Sequence, residues 1–165
     1  MSPAPSRTTL LLAALVGLLI GAGPTAAAGW AVMPSMVLKV SPSRMGFDQT
    51  VATIEESIVR HGWVHTGIKD LQKSLIAQRV QYPYRVKLIE LCKSEYAQSV
   101  LNSDRHVVTL MPCAIAVYEA DDKQVMVSRI NTGMMGMLMG GHIAEVMGKD
   151  VSCDEAAILE GILKG

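Results

Sequence analysis

Hydrophobic and polar positions divide the chain into two unequal parts. No charged residue occurs from Thr8 to Leu38, and Leu10 to Met33 is almost wholly apolar, whereas charged and apolar residues interleave from Lys39 onward. An apolar run of that length is enough for a helix to cross a bilayer. Arg7 precedes it and Lys39 follows it, and the short basic leader orients the N-terminus inside with the body exported. Two fates stay open for this segment. It is either a retained anchor with Trp30 at the interface, or a cleaved signal with Leu10 to Ile20 as its apolar region and a cut near Gly29 after Ala26–Ala28. Pro24, which kinks a spanning helix, favours the second version. The expected division is 1–34 as leader and 35–165 as one domain, since the remaining length suits a single core.

Periodicity then predicts the elements of the body. Met36 to Val40 reads as a short strand ending in the turn residues Ser41, Pro42 and Ser43. Val51, Ile54, Ile58 and Val59 recur at helical spacing, with Asp48 as the expected N-cap and Gly62 as the stop. Trp63 to Ile68 reads as a strand, and Asp70 as the cap of a short helix carrying Leu71, Leu75 and Ile76. Val86 to Leu91 is a mostly buried strand ending at Cys92, and Ser94 is expected to cap the next helix. Val107 to Met111, Ala114 to Tyr118 and Gln124 to Ile130 read as strands, the last two joined by a hairpin turn at Ala120 to Lys123. Two helices, Gly133 to Met147 and Cys153 to Leu163, complete the chain. Strands grouped in the middle with helices around them predict an α+β fold, not a βαβ alternation.

Composition narrows the function classes. Fifteen basic side chains balance fifteen acidic ones, and the aromatics are one Phe, two Trp and four Tyr. Neither the field nor the stacking surface of a nucleic-acid binder is present, so no nucleic-acid partner is expected. No G-x-S-x-G elbow, HExxH, Walker A or GxGxxG pattern occurs, so a hydrolase or dehydrogenase has no positive support and no catalytic residue is assigned.

Five stretches carry a family resemblance: Phe47 to Gly62, GIKDLQKSL from Gly67, LIELCKSEY from Leu88, MPCAIAVYE from Met111, and RINTGMMGMLMGGHIAEVM from Arg129. Together and in this order they resemble the domain of unknown function 302 family, in particular its membrane-anchored bacterial branch. The resemblance implies a curved antiparallel sheet with helices packed on one face, a TATA-binding-protein-like arrangement, and pairing as a homodimer. It implies placement at a bacterial inner membrane with the C-terminal domain in the periplasm, or in the periplasm after cleavage. It imports neither DNA binding nor a catalytic residue, because fold does not fix function. Ser94 stands where related sequences carry proline.

The candidate chemistry lies in sulfur. Cys92 ends one expected strand and Cys113 begins another, so antiparallel pairing brings them to the same end of the sheet. Three readings remain. A disulfide would contribute about 3 kcal/mol by chain entropy; two packed apolar thiols would contribute only burial; a reactive or ligating pair would draw on the helix N-terminus after Cys92, which favours thiolate. Twenty residues intervene with no second cysteine near either, so there is no CxxC or zinc-ribbon pattern. Cys153 reads as a packing residue.

Met134, Met135, Met137, Met139 and Met147 among four glycines form the second unusual feature. At helical spacing Met135, Met139, Ile143 and Met147 make a stripe that reads as core. The alternatives are an adaptable contact surface built on Met134, Met135, Met139 and His142, or a copper(I) or other soft-metal site joining His142 or Cys113 with Met111. No cofactor is otherwise expected. His61, His65 and His106 read as surface residues. The function expected from these residues is a membrane-anchored binding or interaction module for a small ligand or membrane partner. Its alternative is a thiol-redox, sulfur-handling or soft-metal protein using Cys92 and Cys113.

Overall fold

A computed structural model describes residues 36–164, and the leader expected at 1–34 lies outside them. Five strands form one antiparallel sheet: β1 (Leu38–Pro42), β2 (Val64–Asp70), β3 (Val86–Cys92), β4 (Cys113–Glu119) and β5 (Val125–Ile130), in the order β1-β5-β4-β3-β2. The register places Ile89 opposite Ile115, Leu91 opposite Cys113, and Val117 opposite Val127. Side chains alternate along a strand, so the buried residues Ile89, Leu91, Ile115, Val117 and Val127 all face one side. Arg129 shares that side, two residues beyond Val127. The opposite side carries Val40, Ser128, Ala116, Leu88 and Lys69 in one row across the sheet.

Helix α1 (Phe47–Arg60) covers the buried side with Phe47, Val51, Ile54 and Ile58. The spacing of three and four residues expected over Val51, Ile54 and Ile58 is the reason these side chains share one face, while Val59, expected with them, turns outward at 64% exposure. Gly62, at φ 75°, ends it as expected: the Gly62 N–H donates to the Val59 carbonyl and the Trp63 N–H to that of Ile58. Asp48 is not the cap, because Gly46 occupies that position and Asp48 falls in the first turn, where its charge still favours the helix dipole. Asp70 does cap α2 (Leu71–Ala77), accepting from the Lys73 N–H at 2.9 Å.

Three further expectations are corrected. Ser94 is the first residue of α3 (Ser94–Ser103) and Lys93 precedes it as the cap position, without a side-chain bond. Val107 to Met111 is no strand: Arg105–Leu110 forms a 3-10 helix capped by the Asp104 carboxylate, which accepts from the His106 N–H at 2.9 Å. The long helix expected at Gly133 to Met147 breaks at Gly140 and Gly141, which adopt φ 70° and 54°. It becomes α4 (Thr132–Met139) and α5 (Gly141–Glu145), and the latter runs through a π-helical turn (Val146–Val151) into α6 (Ser152–Ile158). The hairpin turn at Ala120 to Lys123 forms as expected, with Lys123 at φ 66°.

Glycine has a packing reason at one place. A Cβ on Gly136 would sit 2.7 Å from the Gly148 backbone and 3.1 Å from the Ala144 Cα, so α4 and the π turn touch backbone to backbone. Among the described residues no helix is long and apolar enough to cross a membrane.

Candidate functional site

Two small cavities lie where β3 ends and β4 begins, apart from wider polar hollows at Asp48, Asp70 and Arg85 and at Leu101 to His106. Cys92 is the last residue of β3, Cys113 the first of β4, and the chain turns into α3 beyond Cys92. Leu91, not Cys92, is the register partner of Cys113, so the two cysteines share the sheet end with a one-residue offset. Both are half-buried free thiols, while Cys153, expected as a packing residue, is instead exposed and free. Burial pushes the Cys113 thiol up to about 11, with further contributions from the nearby Glu155 carboxylate and from Cys92. Cys113 is therefore a neutral thiol at neutral pH.

Two adjoining chambers meet at this point. The first is lined by Cys92, Cys113, Met111 and Met147, with Leu91, Ala97, Val100 and Val151 closing it. The second is lined by Thr132, Glu155, Leu110 and Met135, and shares Cys113 and Met147 with the first. Each has a free volume of about 20 Å³, room for one water-sized guest. Met111 and Pro112, joined by a cis peptide bond, contribute to the first chamber.

A polar network stands at the wall of the first chamber. One oxygen of Asp154, Oδ2, accepts from Lys93 Nζ at 2.7 Å, Trp63 Nε1 at 3.0 Å and Tyr96 OH at 3.2 Å. Burial alone would raise the Asp154 carboxyl, but the bonds from Lys93, Trp63 and Tyr96 outweigh it and hold the group below its ordinary range. The same bond to Asp154 holds Lys93 above its ordinary range, against the opposing effect of burial. Lys93 also lies 4.5 Å from the centre of the Tyr96 ring, and Trp63 meets Tyr96 edge to face at 5.8 Å.

Beside the second chamber sits a buried ion pair. Arg129 Nε and Glu155 Oε2 are 3.4 Å apart, with 12% of each side chain exposed. Arg129 Nε and Nη1 and Thr132 Oγ1 have no hydrogen-bond partner among the described residues. Burial raises Glu155 to about 7, against the opposing charges of Arg129 and Lys39.

The residues singled out from sequence separate into two groups. Cys113 and Met111 border the first chamber and Met135 the second, while Cys92 borders the first from a strand position whose side chain alternates to the other face of the sheet from Leu91 and Cys113. His142 does neither: its exposed ring meets Ser99 Oγ at 2.7 Å and Glu145 at 3.3 Å. Met139 is 43% exposed and Met137 82%. The core stripe is therefore interrupted, because the break at Gly140 and Gly141 swings Ile143 and Met147 away from the line of Met135 and Met139. Met134 is half-buried, its N–H donating to the Asn131 side chain.

Sequence reasoning missed Lys93, Tyr96, Trp63 and Asp154, and also Arg129 and Glu155. Lys93 and Tyr96 stand three apart across the start of α3, a spacing that signals neighbours, but nothing in sequence points from them to Asp154. Arg129 did leave a signal: it continues the Val125, Val127 alternation, which put a guanidinium on a core-facing position.

Comparison with known proteins supplies a family. No curated protein matches the chain. Among solved structures, the chain is similar to the crystal structure of an uncharacterized conserved protein DUF302 from Bacillus stearothermophilus. The TM-score is 0.69 at 21% sequence identity, over 76% of this chain and 97% of that one. That likeness shows the shared antiparallel α+β fold. The sequence profile described as domain of unknown function DUF302 matches residues 39–162, all but the first few residues and the end of the described body, and the chain belongs to the DUF302 family.

Proposed function

We propose that this protein is a binding module whose site is the two-chambered cleft centred on Cys113 and Met147, carried on the exported side of a membrane by the N-terminal segment. The observation that carries the reading is the shared wall. Two chambers with different linings, one rich in sulfur and one bearing Thr132 and Glu155, meet at the same two residues. Methionines line both, and their unbranched side chains swing at little cost, so the cleft adapts to a guest larger than its resting volume. The Lys93–Asp154–Trp63–Tyr96 network fixes one wall while the methionines move. The reading stays non-catalytic because the rim carboxylate already accepts three bonds on one oxygen and the Cys113 thiol is neutral. Support for the membrane placement comes from the charge-free run Thr8 to Leu38.

Native mass spectrometry of the full chain, isolated from its own membrane, tests the cleft. The wild type is expected to carry one stoichiometric guest. Ala97→Phe, which fills the first chamber from α3, is expected to lose it while keeping the same circular dichroism. A bare wild-type mass, or a guest that Ala97→Phe retains, would contradict the reading.

A further inference from the structure

We propose that the end of α4, formed by Met137, Leu138 and Met139, is a membrane-contact tip that rests in the interface of a lipid bilayer. The inference rests on the membrane placement proposed above and is independent of the cleft's guest. These three consecutive apolar side chains are 82%, 69% and 43% exposed. Single exposed apolar residues are ordinary on a folded surface, but a contiguous exposed run marks a contact with something apolar. Gly140 and Gly141 follow and add no polar side chain; the first to do so is His142, held by Ser99 and Glu145.

Other positions of α4 are committed to the body. Thr132 and Gly136 are buried, Gly136 lies against the Gly148 backbone, and Met135 lines the second chamber. The tip is therefore presented on an element that packing holds in place. Ile76 and Val80, in the connection that leaves the opposite end of the sheet, are each 48% exposed, but Lys73 and Arg79 stand among them. From Ile130 to Ala144, by contrast, there is no lysine, arginine, aspartate or glutamate.

Chain connectivity supplies the partner. The Asn131 N–H donates to the Val37 carbonyl at 2.7 Å and Leu38 is the register partner of Ile130, so β1 begins beside the residue that caps α4. From Met33, where the apolar run ends, to Val37 is four residues, a reach of at most about 14 Å. The eight residues of α4 carry the chain about 12 Å further to the tip. A bilayer that holds the apolar run is thus within reach of the tip, and an apolar surface of this kind settles about 5–10 Å into the interface. With no lysine or arginine from Ile130 to Gly148, attraction to anionic lipid has no source in this stretch, and the contact is apolar.

The test is photocrosslinking of the full chain in phosphatidylcholine vesicles, with p-benzoylphenylalanine placed in turn at Met137, Leu138 and Ile76 and the adducts read by mass. Lipid adducts are expected at Met137 and Leu138 and none at Ile76. Alkaline carbonate extraction of the same vesicles reports the anchor separately. A chain that carbonate leaves in the bilayer, yet that gives no lipid adduct at Met137 or Leu138, overturns the tip and leaves the membrane placement intact. Equal lipid adducts at Ile76, or adducts that join two copies of the chain in place of lipid, overturn the tip as well. A chain that carbonate strips away removes the placement and the tip together.

Discussion

Thr50 and Thr132 are both buried, at 0% and 3% exposure, yet their surroundings differ completely. The Thr50 hydroxyl donates to the Gly46 carbonyl at 2.8 Å and lies 2.7 Å from Ser43 Oγ, while Thr132 Oγ1 has no partner among the described residues. The same contrast separates two arginines. Arg85 pairs with Glu119 through Nε at 3.0 Å and Nη2 at 2.9 Å, and with Asp48 at 3.0 Å, and its guanidinium lies 4.3 Å from the Phe47 ring centre. Arg129 is more deeply buried, its Nε 3.4 Å from one carboxylate, and neither Nε nor Nη1 has a hydrogen-bond partner among the described residues. Around α1, the buried side-chain polar groups of the described residues all have partners. The end beside α4 and α6 keeps polar groups unsatisfied next to a cleft, at a cost that packing alone does not require.

The largest effect that separates the two ends should come from pH. Glu155 in the fold titrates near 7 against an ordinary 4.5, so its charged form is disfavoured when folded. The native state therefore holds the proton more tightly than the unfolded one. Stability from this group is complete below about pH 4.5 and is lost as pH rises through about 7, by about 3 kcal/mol. Urea unfolding of wild type and Glu155→Gln across that range should give curves that diverge by this amount. Parallel curves would show Glu155 to be ordinary.

Next in size is the helix crossing that borders the cleft. Gly136→Ala drives a Cβ against the Gly148 backbone and should cost about 2 kcal/mol, whereas Gly46→Ala meets nothing within 4 Å and should be close to neutral. Equal melting temperatures for the two variants would mean that the crossing yields freely.

The two threonines then offer the sharpest internal control. Thr50→Val breaks a satisfied buried network and should cost about 1–2 kcal/mol. Thr132→Val removes a hydroxyl without a partner and should change stability by no more than about 0.5 kcal/mol, in the stabilising direction if at all. Chemical denaturation of both reads the difference directly, and equal losses would erase the contrast.

Much of the closed end was legible in the sequence because it is built by periodicity. The spacing of Val51, Ile54 and Ile58 describes α1, and the alternation through Ile89 and Leu91 describes the sheet's buried face. Gly62 and Asp70 act as the local chemistry predicted. The cleft end was harder to read for identifiable reasons. Val107 and Val108 have strand propensity, yet the Asp104 carboxylate draws the following N–H into a 3-10 turn and only Val107 is buried. The break at Gly140 and Gly141 depends on positive φ, for which the paired glycines were the available sign. Asp154 collects donors from Lys93, Tyr96 and Trp63, between 58 and 91 residues away, a convergence that tertiary packing alone creates. The expectation that Cys92 and Cys113 share the sheet end came from strand order, while the one-residue offset came only with the register.

The claim that most needs testing is that the cleft shared by Cys113 and Met147 holds a guest. Mass-resolved alkylation of the full chain as isolated from its membrane, and again after the guest has been stripped, measures this directly. The account predicts that the exposed Cys153 reacts fastest and at an unchanged rate, while Cys113 is protected only in the guest-bound chain. Equal Cys113 rates in the two samples would contradict it.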